Sequence, residues 1–492
     1  MTDQPDTGQP NTRQPNTRQP NTDQHESDRH DVDLSRPRAV HIVGIGGSGM
    51  SAIAEILLGT GHRVSGSDQD ASAPLQRLAA AGVATHVGHA AGQIGDAEIV
   101  AISTAIPDTN PEVVAAHERG LPVLRRAELL RAVTRAWKTV SVAGTHGKTT
   151  TSAMLTMALR AADLEPSFIV GGDLLDLDRG AAVGDGSLLV VEADESDGTF
   201  VELVSEAIVV TNVEPDHLEH YGGFDGLRDA FDRFVRQAPG PKVLCLDDPG
   251  VAALLDRVDP GRTEPSIVTY GTADTATWRI VDPLPTPVGI EFELVGPAGR
   301  AHVSLAQPGM HNARNAAAAV AMAVSLGADL DAVAAALTGF GGVGRRFETR
   351  GEAAGVRLVD DYAHLPTEVA AALAAAKSLG PDRLVALFQP HRYSRTAQLW
   401  STFTDAFVDA DVLYVTGIYS AGEAPREGIS GTLIADDVRR AHPDADVRYV
   451  ESLDDLVTAV GGELRPGDLC LSLGAGDLTT VPDRLLGLLE GR

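Results

Sequence analysis

One heptapeptide constrains this chain more than any other feature. It is G-T-H-G-K-T-T, Gly144 to Thr150, set between an apolar strand pattern, Thr139 to Ala143, and a helical pattern from Lys148 to Ala161. Glycines in so tight a turn let successive backbone N–H groups converge on phosphate oxygens, and the helix N-terminus behind them adds positive potential. Lys148 is then placed to reach terminal phosphates and Thr149 to ligand Mg2+. The loop departs from the common G-x-x-x-x-G-K-[ST] spacing, because Val142 stands where the first glycine would be and that glycine comes instead at Gly144. Gly144, Thr145, His146, Gly147, Lys148, Thr149 and Thr150 form the expected ATP loop.

A strand feeding a helix through such a loop predicts a parallel sheet with crossover helices, and the same alternation continues on both sides. Strand patterns at Ala39 to Val43, Arg63 to Gly66 and Ile99 to Ser103 precede the loop. Apolar runs at Ser187 to Glu192 and Ala207 to Thr211 follow it without polar alternation, as in strands covered on both faces. Beyond a glycine-rich hinge, Gly339 to Gly342, come strand patterns at Arg357 to Asp360, Leu384 to Phe388, Val412 to Thr416, Val447 to Val450 and Leu469 to Leu473. With 492 residues, 43% of them hydrophobic, the chain has material for several cores, and domains of about 100 to 200 residues make three the expectation. The reading is an α/β protein of three domains in series. Residues 38–137 and 344–492 are Rossmann-like, and residues 138–343 form a central phosphate-loop domain with a parallel sheet. Residues 1–37 are expected to be a disordered tail, since 4–23 run QPDTG, QPNTR, QPNTR, QPNTD with nothing apolar to bury.

The net charge of -28 excludes a broad nucleic-acid or anionic-membrane footprint. Cys245 and Cys470 are far apart in apolar surroundings and read as buried thiols. No export signal and no apolar run near 18 residues is present, so a soluble cytoplasmic protein, a monomer or weak homo-oligomer, is expected.

Two acid-rich strand ends should share the crevice of the loop: E-A-D-E-S-D, Glu192 to Asp197, and T-N-V-E-P-D-H-L-E-H-Y, Thr211 to Tyr221. Carboxylate and imidazole groups there are candidate Mg2+ ligands that neutralise phosphate charge. Downstream, H-N-A-R-N, His311 to Asn315, opens a helix whose side-chain amides suit an adenine edge, although asparagine at a helix start also serves as a cap. Near the start, Gly44-Ile45-Gly46-Gly47-Ser48-Gly49 with Asp68 after it matches the dinucleotide fingerprint. Alone it reads as an NAD site and keeps an oxidoreductase open, yet a helix N-terminus behind a glycine loop binds any pyrophosphate.

Taken in order, H-I-V-G-I-G-G-S-G-M-S, G-T-H-G-K-T-T, E-A-D-E-S-D, N-V-E-P-D-H, H-N-x-x-N, G-R-R-F-E, D-D-Y-A-H-x-P-T-E, F-Q-P-H-R-Y-S-R-T and G-A-G-D resemble the alanine-adding branch of the Mur ligase family over about residues 38–485. The resemblance implies an ATP-dependent, ADP-forming ligase of peptidoglycan precursor synthesis. Its substrates would be UDP-N-acetylmuramate and L-alanine, joined through an acyl phosphate with Mg2+, or Mn2+ as a substitute. It implies that Thr149, Glu192 and His217 hold the metal, that Asn312 and Asn315 face adenine, and that Arg346 supports the phosphates. Lys148, Asp361, His364, His391, Arg392 and Arg395 would conduct the chemistry, the last five bordering the reacting carboxylate and the alanine. The N-terminal glycine loop becomes the UDP-substrate site, with Gly46, Gly47, Ser48, Gly49, Met50, Ser67, Asp68, Ser103 and Thr104 lining it. The family commonly has two adjacent histidines where this chain has His364 and Leu365, so no chemical role is placed on that second position. No lysine lies between Lys148 and Lys242, which agrees with the alanine-adding branch rather than with siblings that carry a carbamylated lysine. A nucleotide-binding protein on a degenerate ligase scaffold, and a sibling ligase that adds a preformed peptide, remain the alternatives.

Overall fold

The computed structural model describes residues 32–491. The five-residue repeat lies outside them. Val32 and Leu34 pack against the first hydrophobic core, so packing begins inside the segment that composition assigned to the tail.

The first sheet has five parallel strands in the order Ala84–Val87, Arg63–Asp68, Ala39–Val43, Ile99–Ile102, Val123–Arg125. Its central strands are buried along their whole length. The winding direction reverses between Ala39–Val43 and Ile99–Ile102, and a crevice opens beyond the carboxyl ends of strands at such a switch point.

In the ten-stranded central sheet, Lys138–Ala143 lies between Leu188–Glu192 and Ala207–Val210, parallel to both. The register sets Val142 beside Glu192 and Ala143 beside Val210. The phosphate loop and both acid-rich segments therefore leave the sheet at one end. The sheet is mixed rather than parallel throughout. Trp278–Pro285, Ile290–Gly296 and Gly299–Leu305 form an antiparallel meander on one edge. There Ile290, Phe292 and Leu294 are buried while Glu291 and Glu293 are only half-buried, the alternation of strands with a single covered face. That face packs on the helices Met310–Ser325 and Leu330–Thr338. On the opposite edge Ser167–Leu174 and Arg179–Ala182 pair as an antiparallel hairpin.

The third sheet runs Glu348–Ala353, Val356–Asp361, Asp468–Leu473, Arg383–Phe388, Val412–Thr416, Val447–Val450, and only its first strand is antiparallel. Among the described residues no helix is long and apolar enough to cross a membrane. Both cysteines are buried and free.

The edge hairpin of the central sheet touches both neighbouring domains. Helix Ser48–Gly59 of the first domain packs on it, and a Cβ at Gly59 would come within 2.6 Å of Val183, which is why the helix ends on glycine there. On the other side the expected hinge is pinned to the hairpin: Gly344 N–H donates to Asp173 O at 3.0 Å and Leu175 N–H to Gly342 O at 3.1 Å.

Candidate active site

The phosphate loop needs its glycines for two reasons. Gly144 and Gly147 have φ of +134° and +78°, and a Cβ on Gly144 would lie 2.1 Å from Thr211 Oγ1 on the adjacent strand end. Asn212 clamps the loop, accepting the His146 N–H at 2.7 Å and donating to His146 O at 3.0 Å. Lys148 Nζ donates to Gly144 O at 2.8 Å and to both carboxylate oxygens of Glu195 at 2.9 and 3.1 Å. Burial opposes the ammonium charge, but Glu195, Asp194 and Glu192 hold its pKa above the ordinary lysine value. Thr149 Oγ1 donates to Glu192 Oε1 at 3.0 Å, and Arg346 Nη2 donates to Thr149 Oγ1 at 3.3 Å.

Beside the loop is a cavity of about 240 Å3 lined by His146, Gly147, Thr149, Thr150, Asn312, Asn315 and Arg346, all expected at the nucleotide. Both asparagines are buried. Asn315 Nδ2 donates to Asn312 Oδ1 at 3.3 Å and Asn312 Nδ2 to Pro308 O at 2.8 Å, while Thr151 Oγ1 donates to Asn315 Oδ1. These bonds tie the asparagine helix to the phosphate-loop helix and fix the amides at the cavity wall. Tyr270, Asp247 and Arg314 extend that wall, and Asp361, Thr367 and Glu368 close it from the third domain. Asp361, expected beside the reacting carboxylate, thus faces the nucleotide cavity. Its two oxygens accept the N–H groups of Phe347 and Ala363 at 2.7 Å each, folding the strand end back onto the start of its domain. Burial raises its carboxyl to about 6 against the pull of Arg346 and those two bonds.

A second cavity of about 780 Å3 is lined by all three domains, a volume within the range of small-molecule sites, about 300 to 1,000 Å3. It brings together Lys148, Thr149, Glu192, His217, Arg346, His364, His391, Arg392 and Arg395, residues that the sequence scatters across two domains, with Gly49 of the N-terminal loop in the same lining. Thr149, Arg346 and Glu368 line both cavities and mark where they meet.

Hydrogen-bond partners assign the two imidazoles, because a carbonyl only accepts and a guanidinium only donates. His364 Nδ1–H donates to Tyr362 O at 3.0 Å, which leaves Nε2 as the lone pair. Arg395 Nη1 donates to His391 Nδ1 at 2.9 Å, which leaves the hydrogen on Nε2. The rings lie 5.5 Å apart and His391 stacks on Tyr419 at 5.8 Å. Burial, His364 and Arg395 push His391 down to about 3, and burial lowers His364 as well despite Glu368. Both rings are therefore neutral at pH 7.

His217 has φ +52°, a conformation a non-glycine residue adopts only where its surroundings impose it. Its Nε2 lies 3.2 Å from Asp216 Oδ2. Among the described residues no three His, Cys, Asp or Glu side chains already converge on a metal position. The adjoining oxygens of Thr149 and Glu192 are the part that is assembled, and they suit a hard cation.

In the first domain Gly46 N–H donates to Asp68 Oδ2 at 2.8 Å, binding the glycine loop to the next strand. Ser103 Oγ would lie 2.7 Å from a Cβ on Gly44. Gly47 caps the helix that Ser48 opens, Met50 is buried in the core, and Thr104 is exposed. Ser67 is fully buried, its Oγ donating to Glu112 Oε2 at 2.6 Å beside His89 and His41, so it supports the loop from beneath.

Sequence reasoning missed Glu195, Asn212, Glu214 and Glu368, although all four stand inside motifs it had singled out. Only the register and the domain closure show which acid of each motif points inward. Arg126 carried no signal: its Nη1 would lie 2.7 Å from a Cβ on Gly49, which places a cation over the N-terminal glycine loop.

Three family models match in series: "Mur ligase family, catalytic domain" at residues 39–138, "Mur ligase middle domain" at 142–323 and "Mur ligase, glutamate ligase domain" at 345–476. The chain is 47% identical over 458 residues to the UDP-N-acetylmuramate–L-alanine ligase of Myxococcus xanthus, covering 92% of this chain and 95% of that one. It is 45% identical to the enzyme of the same name from Nitratidesulfovibrio vulgaris, at 92% and 98% coverage. Among solved structures, the UDP-N-acetylmuramate-alanine ligase of Thermotoga maritima superposes with a TM-score of 0.76 at 30% identity, over 92% of this chain and 98% of that one. A murein peptide ligase from Psychrobacter arcticus shares the fold, with a TM-score of 0.65 at 24% identity. A phosphate loop at the centre of a mixed sheet, a crevice walled by three domains and these matches along nearly the whole length lead to one conclusion: the chain is an ATP-dependent ligase and belongs to the Mur ligase family.

Proposed function

We propose that the chain joins L-alanine to the lactyl carboxylate of UDP-N-acetylmuramate, using ATP, in cytoplasmic peptidoglycan precursor synthesis. The observation that carries this reading is the meeting of the two cavities at Thr149, Arg346 and Glu368, which sets a nucleotide's terminal phosphate against a crevice running from Gly49 to Arg395. The UDP group lies on the N-terminal glycine loop, with Arg126 against its pyrophosphate, and the lactyl carboxylate reaches the junction.

There a carboxylate oxygen attacks the γ-phosphorus, ADP leaves, and an acyl phosphate forms. Lys148 swings from Glu195 to the phosphates, where its charge offsets the charge developing in transfer. Mg2+, or Mn2+ in its place, would be held by Thr149, Glu192 and His217 and would neutralise phosphate charge. Arg392 and Arg395 grip the alanine carboxylate. The amine attacks the acyl carbon, the C–O bond to phosphate breaks, and the amine proton passes to His364 Nε2, the imidazole lone pair left open to the crevice. His391, whose Nε2 carries hydrogen, donates to the oxygen on that carbon as charge develops there.

The test is phosphate release in the presence of UDP-N-acetylmuramate and ATP, with alanine compared against a preformed tripeptide. Alanine-dependent release supports the reading. Release with the tripeptide alone would instead assign a peptide-adding ligase.

A further inference from the structure

The imidazole of His146 stands on the phosphate loop, yet both its nitrogens face carboxylates from different domains. Nε2 lies 3.3 Å from Glu214 Oε2 of the central domain, and Nδ1 lies 3.1 Å from Glu368 Oε1 of the third. Thr367 Oγ1 adds contacts at 3.1 Å to His146 Nε2 and 3.0 Å to Glu214 Oε2. The other oxygen of Glu368 accepts the N–H groups of His364 and Leu365 at 3.0 and 3.2 Å, at the start of helix Pro366–Ser378. One carboxylate thus holds the phosphate loop with one oxygen and the backbone of His364 with the other.

We propose that Glu368 is a positioning residue: through His146 it transmits the place of the phosphate loop across the domain boundary and sets the His364 ring against the acyl carbon. The proposal rests on the ligase reading only for the identity of the step that His364 serves. The contact itself is independent of it.

Glu214 and Glu368 flank the ring, Asp248 acts on Glu214, Arg346, His364 and Asp361 act on Glu368, and Arg395 and Asp216 act on His364. Burial opposes a charge on His146, but the two carboxylates raise it to about 9. Because that value lies above the ordinary 6.5, the bridge is fully made below 6.5 and is lost as pH rises through about 9.

The test uses the full chain and three variants. Glu368→Gln keeps an oxygen for the backbone N–H groups but loses the charge toward His146, His146→Gln cuts only the loop side, and Glu368→Ala removes both. In hydrogen exchange without substrates, the segment 362–369 should lose protection, measured against the intrinsic exchange rate at each pH, in all three, and the wild type should lose it likewise as pH rises through about 9. With substrates, both glutamine variants should lower kcat by about 100-fold, the cost of misplacing a reacting group by about 1 Å. Both residues line the nucleotide cavity, yet the loss should fall on kcat far more than on the KM for ATP, and the alkaline fall in kcat near pH 9 should disappear.

If Glu368→Ala alone speeds exchange, Glu368 is only a helix cap and the proposal is overturned. A wild-type alkaline limb in His146→Gln overturns it equally. Absence of alanine-dependent phosphate release in the wild type would sink the ligase reading, while the exchange data would still decide the bridge.

Discussion

Replacing Lys148 by alanine removes the ammonium proposed to serve the nucleotide phosphates, and it also strands Glu195. That carboxylate is 1% exposed, its cationic partner is Lys148 at 2.9 Å, and Asp194 adds a like charge nearby. Burial already raises the Glu195 carboxyl, and Lys148 is what opposes the rise. Without it the group takes up a proton in the folded state rather than persist as a bare buried charge. The penalty is thereby bounded. Holding a carboxyl of ordinary pKa 4.5 neutral at pH 7 costs about 3.4 kcal/mol, at about 1.4 kcal/mol per unit, and the same bound at pH 5 is about 0.7 kcal/mol. Since the folded-state value is raised, stability is complete below 4.5 and declines as pH rises toward the folded value. Urea unfolding should therefore show a deficit in Lys148→Ala that grows between pH 5 and pH 7. Lys148→Met combined with Glu195→Gln should recover most of it, while both proteins stay inactive in phosphate release. A deficit independent of pH, or one the double variant does not relieve, would refute the reasoning.

Arg395→Lys should lower kcat/KM for alanine by about 10- to 100-fold, because an ammonium keeps the charge but cannot hold both His391 and a carboxylate; near wild-type kinetics would remove Arg395 from the site. Glu192→Ala and His217→Ala should each raise the Mg2+ concentration needed for half-maximal activity. An unchanged metal dependence in His217→Ala, with alanine binding lost instead, would move that histidine to the amino-acid pocket. Phe231, fully buried with its ring 4.9 Å from that of Phe200, should cost about 3 to 5 kcal/mol in urea unfolding when replaced by alanine. A loss under about 1 kcal/mol would contradict its place in the core.

Strands buried on both faces were legible in the sequence because short continuous apolar runs such as Ala207–Val210, bounded by turn and loop patterns, suit strands covered on both sides. The antiparallel meander at Trp278–Leu305 was not placed, although Ile290, Phe292 and Leu294 alternate cleanly: nothing local says which sheet edge a meander joins. In the site, residues with one chemical use, such as Lys148 and Arg395, could be named from motifs. Acids could not be told apart by spacing, and Glu192 was singled out only by the family resemblance. Glu192, Asp194 and Glu195 lie within four positions, and only three-dimensional register decides that Glu192 meets Thr149 while Glu195 is buried against Lys148. His146 was named in the nucleotide loop, whose cavity it lines, but its bridge to the third domain was not foreseen because Glu368 stands 222 residues away. Asp361 was expected at the reacting carboxylate, and no motif shows that its oxygens accept two backbone N–H groups or that it lines the cavity beside the phosphate loop.

The central claim is that the lactyl carboxylate is activated by phosphoryl transfer at the junction of the two cavities. It is tested most directly by following oxygen. UDP-N-acetylmuramate labelled with 18O in that carboxylate is incubated with ATP, alanine and the enzyme, and the released phosphate is analysed by mass. Attack on the γ-phosphorus followed by cleavage of the acyl C–O bond predicts one labelled oxygen in each phosphate formed from doubly labelled substrate. Phosphate free of label, formed alongside the amide product, would contradict the account.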